Sequence, residues 1–119
     1  MIAGPFRELL LKERELLGRL FTPAFPGREE LSEQLESAKV KVIDEDGSLE
    51  FLISSSTKAK NVKYVVPTEG EYEDSDGVIV HILLHLLGDK AQELEFFRED
   101  GTPVRQWPDP QNVRVFAPT

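Results

Sequence analysis

Apolar positions along the chain change their period once, and that change divides it. From Phe6 to Leu20 they recur every three or four residues, at Phe6, Leu9, Leu10, Leu16, Leu17 and Leu20, with Glu13 in the same stripe. This spacing predicts an amphipathic helix of about four turns, with Pro5 suited to its first turn and Pro23 stopping it. Arg7, Glu8, Lys12, Glu15 and Arg19 fall on the other side, where Glu8–Lys12 and Glu15–Arg19 have the favourable acid-before-base order. After Pro26-Gly27, residues Arg28 to Ser37 read as a shorter helix with Leu31 and Leu35 inward, Glu29 and Glu30 at its positive end, and Phe25 placed to staple its start.

From Ala38 the period is two. Val40 and Val42 alternate with Lys39 and Lys41, Asp44 to Gly47 is a turn, and Leu49, Phe51 and Ile53 return as the second arm of a hairpin. Ser54 to Asn61 is polar and reads as a flexible, disordered loop. Val62 to Tyr72 resumes as a strand, with Pro67 marking an edge, a bulge or a break. Asp74 to Gly77 turns the chain into the ten-residue apolar run Val78 to Leu87, Gly88-Asp89 turns it again, and Ala91 to Arg98 returns. Val104 to Trp107 predicts a short edge strand, and Val113 to Phe116 a docked terminal segment. Two helices followed by strands imply one α+β domain spanning residues 1–119, its two N-terminal helices packed on one face of an antiparallel sheet of five or six strands.

With Ser75-Asp76 and Gly88-Asp89 as turn tips, Glu71 falls near Val80, Glu69 near Ile82, and Glu93 and Glu95 near Leu84 and Ile82. One face then presents an aliphatic stripe through Val78, Val80, Ile82, Leu84 and Leu86, rimmed by glutamates. The opposite face, with Tyr64, Val66, Tyr72, Ile79, Leu83, Leu87, Leu94 and Phe96, is the expected core. An exposed apolar stripe with an acidic rim describes a contact surface for a basic protein, or for a second copy in a homodimer. Glu69, Glu71, Glu93 and Glu95 are its rim candidates, and Val80 and Ile82 its centre.

Charge narrows the partner. Acidic residues number 22 against 14 basic ones, a formal net charge of −8 that repels nucleic-acid phosphates and anionic lipid headgroups and favours encounter with a cationic protein. Cysteine is absent, so disulfides and thiolate metal sites are excluded. Met1 to Pro5 lacks the pattern of a secretory leader and no apolar run approaches a membrane span, so a cytoplasmic protein is expected.

Candidate chemistry is sparse. His81 and His85 stand about 13 Å apart along an extended strand, too far to share a metal ion directly, and the run between them lacks the glutamate of a helical metalloprotease motif. Hydrogen-bonded histidines at the edge of the core, with His81 near Phe96, are expected instead. Cross-strand glutamates could reach glycosidase-like distances, but nothing local separates an acid from a base. Ser54 to Ser56 have no nucleophile elbow, and the aspartate-rich turns lack the ligands of a calcium loop. No catalytic residue, metal or cofactor is expected. Trp107 reads as an anchor for the C-terminal segment.

The segments Glu71 to His85 and Glu93 to Val104, with a looser likeness back to Arg7-Glu8-Leu9 and Pro26-Gly27, resemble a family of small acidic bacterial proteins of unknown function. The resemblance covers most of the chain and implies a single domain without established catalytic residues. In size and acidity the chain is also similar to immunity proteins that neutralise secreted toxins. The expected function is therefore non-enzymatic: binding of a basic protein, as an immunity protein binds a basic toxin domain. The alternatives are a small-ligand or hydrolytic domain using a histidine and a carboxylate, or a homodimeric structural protein.

Overall fold

The computed structural model describes residues 4–118. Helices α1 (Leu11–Leu20) and α2 (Arg28–Glu36) precede most of an antiparallel sheet of seven strands, β1 (Arg7–Glu8), β2 (Lys39–Val42), β3 (Leu49–Leu52), β4 (Glu69–Glu73), β5 (Ile79–Leu87), β6 (Lys90–Arg98) and β7 (Arg114–Phe116). Their spatial order is β1-β2-β3-β6-β5-β4-β7. The sheet exceeds the expected five or six strands because both ends of the chain add an edge. Arg7 and Glu8 pair with Val40 and Lys39 instead of opening the first helix, and β7 pairs with β4. With Glu8 in a strand, the expected Glu8–Lys12 helical pair has no basis.

The first helix starts at Leu11 for an electrostatic reason. Buried Glu13 takes two hydrogen bonds from Arg7, at 2.8 and 2.9 Å, and one from the Leu10 N–H at 2.8 Å. Burial pushes the Glu13 carboxyl up, but these donors outweigh it and hold it below its ordinary value. Thus the one acid in the apolar stripe ties β1 to α1.

One cluster joins both layers: Leu16, Leu17, Leu20, Leu31 and Leu35 from the helices meet Val40, Leu49, Phe51, Val80, Ile82, Leu84, Leu94 and Phe96 from the sheet. Phe25 is buried and meets Phe21, at the end of α1, edge to face at 5.5 Å, bracing the connection between the helices. Trp107 packs on Phe96 at 5.1 Å beneath the Lys12 ammonium, anchoring the C-terminal crossing, and Tyr72 donates to the Gln106 carbonyl at 2.7 Å. Residues 104–107 form no strand; Pro67 breaks the expected strand before β4.

The polar stretch after β3 is docked, against expectation. Gln34, fully buried on α2, donates to the carbonyls of Thr57 (3.0 Å) and Asp89 (2.8 Å) and accepts from the Ala91 N–H at 3.0 Å. Ala59 is buried, and its N–H reaches the same Asp89 carbonyl at 3.0 Å. One side-chain amide therefore fixes the stretch and the β5–β6 turn to the helical layer.

At the other end of the sheet, Arg98 is 3% exposed and gathers Asp74 (3.0 Å), Asp76 (2.8 Å) and Asp100 (2.8 Å) from both flanking turns. Hydrogen bonds from Arg98 hold Asp76 down at about 2 and, with Thr102, hold Asp100 lower still. For Asp74, burial raises the carboxyl, but the Arg105 and Ser75 N–H groups together with Arg98 bring it below its ordinary value. Depressed carboxylates stabilise the fold fully above their unfolded range and lose that contribution as pH falls through their folded values. Stability should therefore decline from about pH 4 to about pH 2. Urea midpoints across that range should fall less steeply for Arg98→Met, which starts less stable at pH 7; an equal slope in both proteins would refute the clasp.

Candidate functional site

Two features reset the strand register and turn the predicted faces over. The β4–β5 turn closes with the Asp74 N–H on the Val78 carbonyl at 2.9 Å, making a three-residue tip with Gly77 at φ +88°. The β5–β6 turn starts in the expected register, Leu87 opposite Lys90 and Leu86 opposite Ala91. A bulge between His85 and Leu86 then moves every later pair by one. Each one-residue slip exchanges the partner strand's faces. Val80 lies opposite Tyr72 and Arg98, and Ile82 opposite Gly70 and Phe96.

The aliphatic stripe is consequently the core. Val80 and Ile82 are 0% exposed, which removes both from any contact surface, whether with a partner or with a second copy. Tyr72, Leu94 and Phe96 are buried as expected, whereas Leu87 is 69% exposed and Tyr64 also lies outside the core. The face turned away from the helices carries Ile79, His81, Leu83 and His85 of β5.

Cross-strand rows on that outer face bring the four rim glutamates together with the histidines. One row runs Lys41, Glu50, Glu93, His85; the next Phe116, Glu69, Leu83, Glu95; the third Arg114, Glu71, His81, Phe97. Strands β3 to β6 thereby place Glu50, Glu69, Glu71, Glu73, Glu93 and Glu95 on one side. Arg98, the strong base among them, is turned inward, and Lys90 lies at the sheet's end. Leu83 and half-exposed Phe97 form apolar ground between the carboxylates.

The local contacts are polar and short. His85 Nε2 lies 2.8 Å from Glu95, and His81 Nε2 lies 2.9 Å from Glu99, with the His81 ring stacked on Phe97 at 5.1 Å rather than near Phe96. Arg114 donates to Glu71 at 2.9 Å, and the Lys41 ammonium stands 3.9 Å from Glu50. Burial raises the Glu93 carboxyl, partly offset by His85. Both histidines are hydrogen-bonded, but on the outer face instead of the core's edge. Glu99 and Phe97 come to stand beside His81 only through the shifted register, and Glu50 reaches the face opposite Glu93 through the β3–β6 pairing, which turn and spacing signals do not specify.

Among the described residues no group of three or more histidines and carboxylates has metal-binding geometry, and no helix is long and apolar enough to cross a membrane. Two open clefts lie on the helical layer, one lined by Arg14, Leu17, Gly18, Phe21, Ser32, Leu35 and Glu36, the other by Phe21, Arg28, Glu29, Ser32, Glu33 and Glu36. Neither includes His81 or His85.

Residues 6–108 match the family described as Domain of unknown function (DUF6984). The chain belongs to this family. The DUF6984 match contains β1 to β6 and both helices, hence all six face glutamates and both histidines; β7, with Arg114 and Phe116, lies beyond it. No curated protein and no solved structure matches the chain.

Proposed function

We propose that this DUF6984 protein is a non-enzymatic binding domain that takes a basic protein on the outer face of β3 to β6. The observation that carries the reading is the concentration of six glutamates on the face turned away from α1 and α2. Carboxylates at this density steer a cationic partner in and penalise an acidic one, while Leu83 and Phe97 supply apolar contact that excludes water from the charge pairs. The centre of the contact is thus Leu83 and Phe97, in the place first assigned to Val80 and Ile82. Blocking a basic toxin domain, as an immunity protein does, is one instance of this chemistry.

Position on the molecule, not net charge, is the discriminating variable. Glu71→Lys/Glu95→Lys should weaken calorimetric binding of a nona-arginine peptide at least about ten-fold and flatten its salt dependence. Glu30→Lys/Glu36→Lys, the same charge change on α2, should weaken it less than about three-fold. Equal losses in the two variants would leave only a general field effect and sink the face assignment.

A further inference from the structure

We propose that His81 and His85 make this face pH-sensitive, holding a cationic partner at neutral pH and releasing it in mild acid. The inference rests on the reading of the outer face as the site of a basic partner. Both imidazoles project from β5, which lies between β6 and β4, into the carboxylate field, and each engages a carboxylate that the partner's cations would use.

From β4, His81 is faced by Glu71, whose carboxylate is 4.0 Å from Nδ1, with Glu69 and Glu73 on either side. From the β6 side it is faced by Glu95 and by Glu99, 2.9 Å from Nε2. Arg114 of β7 stands behind Glu71 and is already bonded to it. His85 is faced by Glu93 directly opposite and by Glu95 at 2.8 Å. Beyond Glu93 lie Glu50 with its Lys41 partner, and Asp44. Of these charged groups only Arg114 and Lys41 are cations, and each is already engaged by a glutamate; on the side of His85 away from β6 runs the stretch that carries Lys63, its Val65 carbonyl taking the Leu86 N–H at 2.8 Å.

Histidine is the ordinary side chain that changes charge between about pH 5 and pH 8. While the rings are neutral, Glu95 and Glu99 keep their full negative charge and their remaining lone pairs for incoming ammonium or guanidinium groups. A second proton turns the same short contacts into internal ion pairs. One such proton on each ring adds two positive charges to the face, where the partner's cations must approach, and so acts against the partner. Both rings are partly exposed, so the proton exchanges directly with water.

The test is calorimetric titration of the full chain with nona-arginine at about pH 8 and about pH 5.5 at equal ionic strength. The dissociation constant should rise about ten-fold in acid, and in His81→Gln/His85→Gln the ratio between the two conditions should fall to about two or less. Glu93, raised by burial, adds an effect of the same sign that the double variant retains, so the residual ratio measures it. Equal affinity at both pH values, or an undiminished ratio in the double variant, overturns the switch and leaves the basic-partner reading standing. Absence of peptide binding at the higher pH overturns both.

Discussion

Replacing Gln34 by Leu should lower the unfolding free energy by about 3 kcal/mol in urea denaturation, although leucine nearly matches glutamine in volume. The side chain is fully buried and serves three backbone groups, Thr57 O, Asp89 O and Ala91 N. Asp89 keeps the Ala59 N–H as a partner, but the buried Ala91 N–H and the Thr57 carbonyl lose theirs. A buried polar group left unsatisfied costs about 1–3 kcal/mol. Glu at this position should be worse, because a carboxylate cannot donate to either carbonyl. The lesion should also be local: amide exchange should accelerate first in residues 55–60 and at the Gly88-Asp89 turn. A loss below about 1 kcal/mol would mean that the amide does not staple the loop.

Gly27→Ala should be destabilising by about 2–4 kcal/mol, from two separable sources. Gly27 precedes α2 at φ +90°, a conformation that penalises any Cβ, and its carbonyl receives the Leu31 N–H. A Cβ built there would also meet Val62 Cγ1 at 2.5 Å. Gly47 has the same φ of +90° with nothing within 4 Å of its added Cβ, so Gly47→Ala isolates the backbone penalty, about 1 kcal/mol. The excess at Gly27 is the overlap, and Val62→Ala should relieve it, making the double variant less destabilised than the sum of its parts. Equal effects at Gly27 and Gly47 would show that Val62 simply moves aside.

Local signals read well where one residue type carried them. The Asp44–Gly47 turn, the β2–β3 hairpin and the span of α2 follow from spacing and turn chemistry alone. The faces of β5 did not, because alternation along an all-apolar strand is silent about which side is buried: Val80 and Leu83 are equally hydrophobic. Only the partner strands break that symmetry. They do so through register, which here depends on Gly77 joining the first turn and on the bulge opposite His85 and Leu86. Once the register is shifted, Tyr72, Leu94 and Phe96 fall on the side of Val80 and Ile82, and the glutamates on the side of the histidines. The two edge strands were hidden for another reason. Arg7-Glu8 fits the helical period that follows it, and only long-range pairing with Val40 and Lys39 removes it from the helix.

Glu69, Glu71, Glu93 and Glu95 were thus legible as a group, whereas their neighbour Leu83, on the opposite face in the expected register, was not. The four glutamates alternate with apolar residues in either register, so they stay together whichever face they occupy. Leu83 becomes their neighbour only through the observed pairing, whereas Phe97, two residues beyond Glu95 on β6, shares their side in either register.

The measurement that tests the central claim most directly is a backbone amide NMR titration of the full chain with nona-arginine near neutral pH. The outer-face reading predicts that shift changes concentrate on Glu69–Glu73, His81–His85 and Glu93–Phe97, with α1 and α2 unmoved. Changes confined to the helical layer, or scattered evenly over the acidic residues of the whole chain, would contradict it.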